Sequence, residues 1–139
     1  MKFSVKSDYA ARAVLALARH YPDGGPRRVE ELASAQGIPP NYLVQILIEL
    51  KAKQIVRSVR GKDGGYRLGR PPAEITMNDL LRAVHGELLE TPALNDARCP
   101  AELRQAWTRL QRALEQTASS ISFQQLLDEG TDRDRRYFI

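Results

Sequence analysis

The chain has 139 residues, 42% of them apolar, which fits one soluble domain with a core but not two independent ones. No apolar run approaches the eighteen or more residues of a membrane span, and the opening MKFSVKSDYA lacks the apolar stretch of a signal peptide, so a cytoplasmic protein is expected. The net charge of +4 is unevenly spread: residues 1 to 70 carry 13 Lys and Arg against 6 Asp and Glu, and residues 71 to 139 carry 8 against 11.

In chain order, Ala10, Val14, Leu17 and Tyr21 fall at spacings of four, three and four, predicting an amphipathic first helix over residues 7 to 21 with Ser7 as its N-cap. Pro22, Asp23, Gly24, Gly25 and Pro26 then form a loop. A short second helix, Glu30 to Gln36, opens on two acids that suit the N-terminal dipole and closes at Gly37. Gly37, Ile38 and Pro39 are the tight turn of a helix-turn-helix. A third helix starts near Pro40, whose fixed φ is already helical and whose missing N–H has no partner to lose at that position. Winding it at 100° per residue puts Leu43, Ile46, Leu47 and Leu50 on one side and Asn41, Val44, Gln45 and Ile48 on the other.

Ile55 to Arg60 and Tyr66 to Leu68 read as two strands, separated by Gly61, Lys62, Asp63, Gly64 and Gly65, which supply the positive φ of a hairpin turn. Lys51, Lys53, Arg57, Arg60, Lys62, Arg67 and Arg70 stand against Asp63 alone in residues 51 to 70, a strip that suits a polyanion. A solvated basic face is the bland alternative; its coincidence with a helix-hairpin motif favours nucleic acid. Thr76 and Asp79 resemble a capping box opening a helix through Val84 that Gly86 ends, with Leu80 and Val84 inward. Residues 87 to 99 read as a loop. Leu103, Trp107, Leu110, Leu114, Thr117 and Ile121 then repeat at four and three, an a/d seam; packing on the same chain is the commoner fate of so short a stripe, but pairing of two copies is expected here, because helix-turn-helix readers bind paired half-sites. Ser122 to Leu127 is expected to form a short terminal turn and Asp128 to Ile139 a frayed charged tail.

These residues resemble a known family. MKFSVKSDYAARAVLALA, QGIPPNYLVQIL and, above all, VRSVRGKDGGYRLGRPPAEIT are similar to the IscR, NsrR and CymR group of bacterial winged-helix regulators, the Rrf-two superfamily, from Met1 to about Val84 and more loosely from Trp107 to Leu127. The resemblance implies a mainly α fold with a small β-hairpin: a winged helix-turn-helix domain over residues 1–86, a loop over 87–99, a dimerisation helix with a short terminal helix over 100–127, and a tail over 128–139. It also implies a homodimer that binds double-stranded DNA at an imperfect palindrome. By position, Asn41, Tyr42 and Gln45 would face the major groove, with Lys51 and Arg60 on DNA at the helix end and wing.

Gln45 and Asn41 can each pair with an adenine edge, Val44 can meet a thymine methyl, and Arg60 and Lys62 can reach phosphate or the minor groove. Family members that read the cluster regulator's operator tend to have glutamate where this chain has Val44 and serine where it has Pro39, which implies a different operator. Cluster-binding members place three cysteines before the dimer helix; here Cys99 is the only cysteine, eight residues before Trp107, so no iron-sulfur cluster is expected even with Asp8 borrowed from a partner subunit. Cys99 is instead a candidate redox sensor through reversible oxidation of its thiol, with an inert half-buried cysteine as an equal alternative, and a small-molecule or protein effector is also open. Leu103, Trp107, Leu110, Leu114 and Ile121 are the expected dimer interface. His20 and His85 are isolated and read as surface or cap residues rather than metal ligands. No nucleophile with a positioned base and no phosphate loop is present, so catalysis is not expected. The expected function is that of a dimeric, sequence-specific transcription regulator acting as a repressor; the rival is a winged-helix module that docks on a protein partner without DNA.

Overall fold

The computed structural model describes residues 4–137, with side chains through residue 132. Its elements are α1 (Val5–Ala18), α2 (Val29–Gln36), α3 (Pro40–Ala52), β1 (Val56–Val59), β2 (Gly65–Leu68), a 3₁₀ turn at Pro72–Glu74, α4 (Met77–Val84), a second 3₁₀ turn at Pro92–Asn95, α5 (Ala101–Ser119) and α6 (Phe123–Tyr137). The fold is a winged helix-turn-helix followed by two C-terminal helices.

Helix α1 starts three residues earlier than its periodicity suggests. Ser4, not Ser7, is the N-cap: its side chain accepts from the Ser7 N–H, and Ser7 itself is buried. Helix α2 ends at Gly37, which takes the left-handed conformation at φ 67° and turns the chain into α3. Along α3, Leu43, Ile46, Leu47 and Leu50 are completely buried, while Asn41, Tyr42, Gln45 and Ile48 are exposed. The buried row locks α3 against the core formed with Ala10, Val14 and Leu17 of α1, so the opposite row has one fixed presentation.

β1 and β2 pair antiparallel, Val56 opposite Leu68 and Val59 opposite Gly65. The Pro-Gly loop after α1 feeds a further strand residue that its composition does not announce. Arg27 pairs with Tyr66 across the outer edge of β2, its N–H donating to the Tyr66 carbonyl at 2.8 Å and its carbonyl accepting at 2.7 Å. This approach is why residue 65 is glycine: a Cβ there would stand 2.3 Å from the Arg27 carbonyl oxygen.

The capping box at Thr76 and Asp79 opens α4, and Leu80 and Leu81 are its buried residues, with Val84 half-buried beside them. Residues 87–99 are not featureless, since they hold the second 3₁₀ turn and bury Leu88.

The largest difference from the sequence reading lies at the C-terminus. The expected terminal turn and frayed tail are one helix, α6, that continues to Tyr137; Phe138 and Ile139 lie outside the described residues. A second capping box starts it, the Ser122 N–H donating to the Gln125 side chain and the Gln125 N–H to the Ser122 hydroxyl. Phe123 is fully buried, and the turn before it is stitched to the segment leading into α4 by Met77 N–H to Ile121 carbonyl (2.8 Å) and Phe123 N–H to Ile75 carbonyl (2.9 Å). Helix α6 packs back on α1, and Phe123, with Leu126 and Leu127 against it, makes the start of α6 part of the core of the N-terminal domain. Among the described residues no helix is long and apolar enough to cross a membrane.

Candidate nucleic-acid interface

The exposed row of α3 is held from both ends. At its start, Tyr42 meets the Tyr9 ring of α1 edge-on, with centroids 5.7 Å apart, and Arg12 lies over Tyr9 at 5.9 Å. Near its end Glu49 pairs with Lys6 of α1 at 2.6 Å. A partly buried pair still open to solvent contributes about 1 kcal/mol, so orientation comes mainly from the buried row beneath. Asn41 just before the first tie, and Gln45 and Ile48 between the two, are exposed, and Val44 is half-buried. The two tyrosines are a feature that sequence spacing alone does not give, because 33 residues separate them.

Lys51, in the last turn of α3, is exposed, as are Arg60 and Lys62 in the hairpin turn. The turn closes through the Gly64 N–H on the Gly61 carbonyl at 3.0 Å, and a Cβ on Gly64 would run into the Val59 carbonyl at 2.1 Å. Not every basic side chain of the strip is free to meet a ligand. Arg67 donates to the Pro22 carbonyl at 2.8 Å, and Arg28, from the start of α2, donates to the Lys62 carbonyl. These two arginines brace the wing, leaving Lys51, Arg60 and Lys62 outward. Tyr66 and Leu68 pack beneath the wing, as their alternation suggests.

On α5, Leu103 and Leu110 are 47% and 56% exposed, whereas Trp107 and Leu114 are half-buried. Trp107 lines a cleft with His85, Leu88, Leu89 and Thr91, and Leu114 leans on the domain core. Ile121 lies beyond the helix, in the turn that docks on α4, so the seam on α5 itself ends at Thr117. Cys99 is half-buried just before α5, its carbonyl accepting from Arg104 at 2.8 Å. Asp8 is exposed and paired with Arg12 at 2.9 Å.

Helix, turn, exposed polar helix face and basic wing are thus assembled as in proteins that read duplex DNA. The family model described as Rrf2, iron-dependent transcriptional regulator, matches residues 3–129. CymR of Bacillus subtilis is 31% identical over 139 residues, covering 100% of this chain and 99% of that protein. An HTH-type transcriptional regulator of Mycobacterium tuberculosis is 47% identical over 88 residues, 63% of this chain and only 54% of its own length. Among solved structures, CymR of B. subtilis superposes with a TM-score of 0.80 at 27% identity over 93% of this chain and 98% of that one, and IscR of T. potens with 0.77 at 29% over 94% and 88%. These relatives are regulators rather than enzymes, and they speak for DNA binding over a DNA-free docking module. The chain belongs to the Rrf2 family of DNA-binding transcriptional regulators.

Proposed function

We propose that the protein is a homodimeric repressor that reads a palindromic operator, with α3 of each copy in the major groove and the hairpin beside it on the backbone and minor groove. The observation that carries this reading is the exposed row Asn41, Tyr42, Gln45 on a helix whose opposite row is fully buried, continued by exposed Lys51, Arg60 and Lys62. Gln45 and Asn41 offer the two-point hydrogen bonding that distinguishes adenine, and Val44 offers apolar contact to a thymine methyl. The exposed leucines of α5 support pairing of two copies, and a two-fold pair presents its α3 helices to half-sites about 34 Å apart. Seated across two adjacent grooves, such a dimer represses by covering the site. As a reader of chromosomal DNA it works in the cytoplasm.

Reading and anchoring residues separate on substitution. Gln45→Ala is expected to cost about 1 to 3 kcal/mol on operator DNA and to relax preference at one base pair of each half-site. Lys51→Ala is expected to weaken all sequences alike and to flatten the salt dependence by about one unit of slope. Fluorescence anisotropy on operator and scrambled duplexes at several salt concentrations measures both; equal losses on the two duplexes for both variants would remove Gln45 from the reading role.

The iron in the family description does not fit this chain's donors. Clusters are held chiefly by thiolates, and Cys99 is the only thiol. Among the described residues no group of three His, Cys, Asp or Glu is placed to hold a metal, and Asp8 is engaged by Arg12. We infer that the signal is not a cluster. Anaerobic reconstitution with ferrous iron and sulfide is expected to leave the purified protein without visible absorbance; stoichiometric iron with such absorbance would overturn the inference.

A further inference from the structure

Behind the wing, the end of α1 and the face of α2 border a half-open cleft of about 180 Å³, room for about six waters at their liquid volume. Ala16, Leu32 and Ala35 give it apolar walls, and Arg19, Arg27 and Glu31 stand at its rim, leaving one positive charge in excess. The Arg27 Nη1 is 3.6 Å from the Glu31 carboxylate, too long for a hydrogen bond, and Arg27 Nε is buried with no acceptor among the described residues. The side chain as a whole is 36% accessible, and the terminal Nη groups of a guanidinium form an edge that matches a carboxylate in two parallel hydrogen bonds. We propose that this cleft binds a small carboxylate with a short apolar tail, the carboxylate on Arg27 and the tail between Ala16, Leu32 and Ala35, and that its occupancy tightens the wing's hold on DNA.

His20, also on the lining, does not compete for the anion as a third cation. Burial first, and then the charges of Arg27 and Arg19, hold its pKa below the ordinary value, so near neutral pH its unprotonated ring nitrogen accepts from Arg27 Nη2 at 2.7 Å. The neutral ring holds the guanidinium in place, while Nη1, 3.6 Å from Glu31, has no acceptor at hydrogen-bond distance there.

The link to the wing is covalent and short. Arg27 is the residue whose main chain pairs with Tyr66 in both directions, and Arg28 beside it donates to the Lys62 carbonyl at the wing tip. A carboxylate that fixes Arg27 therefore fixes both points at which the Arg27–Arg28 segment grips the hairpin. Ordering paid by the first ligand is ordering the second no longer has to supply, the usual origin of positive coupling between two sites. The coupling half of this proposal rests on the wing contacting DNA; the binding half does not.

The test uses the full chain with isovalerate as probe, isovaleramide as its neutral counterpart and inorganic phosphate as an anion without a tail. In ¹H–¹⁵N NMR titrations at pH 7.5, isovalerate is expected to shift the Arg27, Glu31 and Ala35 amides saturably, with isovaleramide and phosphate at least about tenfold weaker. Ala35→Leu fills the cleft from an exposed helical position, where both residues are strong helix formers; with its melting curve retained, it is expected to abolish the shifts. Arg27→Gln is expected to do the same. Saturating isovalerate should tighten operator binding about fivefold or more, the lower end of typical coupling, in the wild type and not in Ala35→Leu. Absent or unsaturable shifts, equal response to phosphate, or full binding by Ala35→Leu would overturn the site. Saturable binding with unchanged operator affinity would overturn the coupling, and a protein that binds the probe but no DNA would instead refute the DNA reading on which that coupling depends.

Discussion

In the proposed dimer, Leu103→Glu with Leu110→Glu is expected to give monomers and to lower operator affinity by about a hundredfold or more, the avidity lost when two tethered readers act singly. Both leucines are roughly half exposed in the single chain, so the two charges have no core to disturb. Leu114 is a poorer choice because it leans on the domain core, and its replacement would mix folding with assembly. On pairing, the two leucines lose their remaining water, and each, already about half buried, contributes half of the roughly 1.5 to 3 kcal/mol that full burial gives. Two carboxylates placed in that seam meet their copies across the two-fold axis, adding like-charge repulsion to lost burial. Sedimentation equilibrium at micromolar concentration reads the outcome directly: a wild type already monomeric, or a double variant still dimeric, would remove α5 from the assembly role.

Phe123→Ala is expected to destabilise the fold by about 3 to 5 kcal/mol, a large share of the 5 to 15 kcal/mol that holds a domain of this size. Phe123 is completely buried at the junction where α6 returns to α1, and its own N–H is tied to Ile75. Loss of the ring leaves a cavity under the two main-chain links that join the α5–α6 turn to α4, so α5 should lose its fixed direction relative to the recognition helix. Urea unfolding measures the loss, and a change below about 1 kcal/mol would show that α6 is not part of the cooperative core. Leu126→Ala, only half-buried on the same helix, should cost less.

Why α6 escaped the sequence reading while α3 did not follows from where each finds its stability. Helix α3 carries four fully buried residues at spacings of three, one and three between two prolines and a charged end, so periodicity and start signal agree. Beyond Leu127, α6 is Asp128, Glu129, Gly130, Thr131, Asp132 and further charges, with no apolar stripe; its anchor is the Ser122 capping box and Phe123, three residues after α5 ends. The N-cap of α1 was misplaced because Ser4 and Ser7 are both serines one turn apart, and only burial of Ser7 tells them apart. The Arg27 bridge to Tyr66 is a single pair across 39 residues, invisible to any local period. Heptad spacing on α5 was legible, but spacing cannot divide one stripe into residues that face the same chain and residues that face outward; Leu114 and Trp107 do the first, Leu103 and Leu110 the second. On the exposed side of α3, Asn41, Gln45 and Ile48 were legible from the period, while Val44 is half-buried; the bracing of α3 by Tyr9 and Lys6, and of the wing by Arg28, depends on contacts made only in the folded chain.

Selection from a random pool of duplex DNA, followed by titration of the enriched sequence against salt, tests the central claim most directly. Two recognition helices related by a two-fold axis predict an inverted repeat with half-sites about 10 to 10.5 base pairs apart, centre to centre, and a binding constant whose logarithm falls linearly with the logarithm of salt concentration as phosphates are neutralised by Lys51, Arg60 and Lys62. Loss of the repeat's enrichment in Gln45→Ala would tie the reading to α3. No enriched sequence, or binding indifferent to salt, would contradict the assignment of α3 and the wing as the DNA-reading surface.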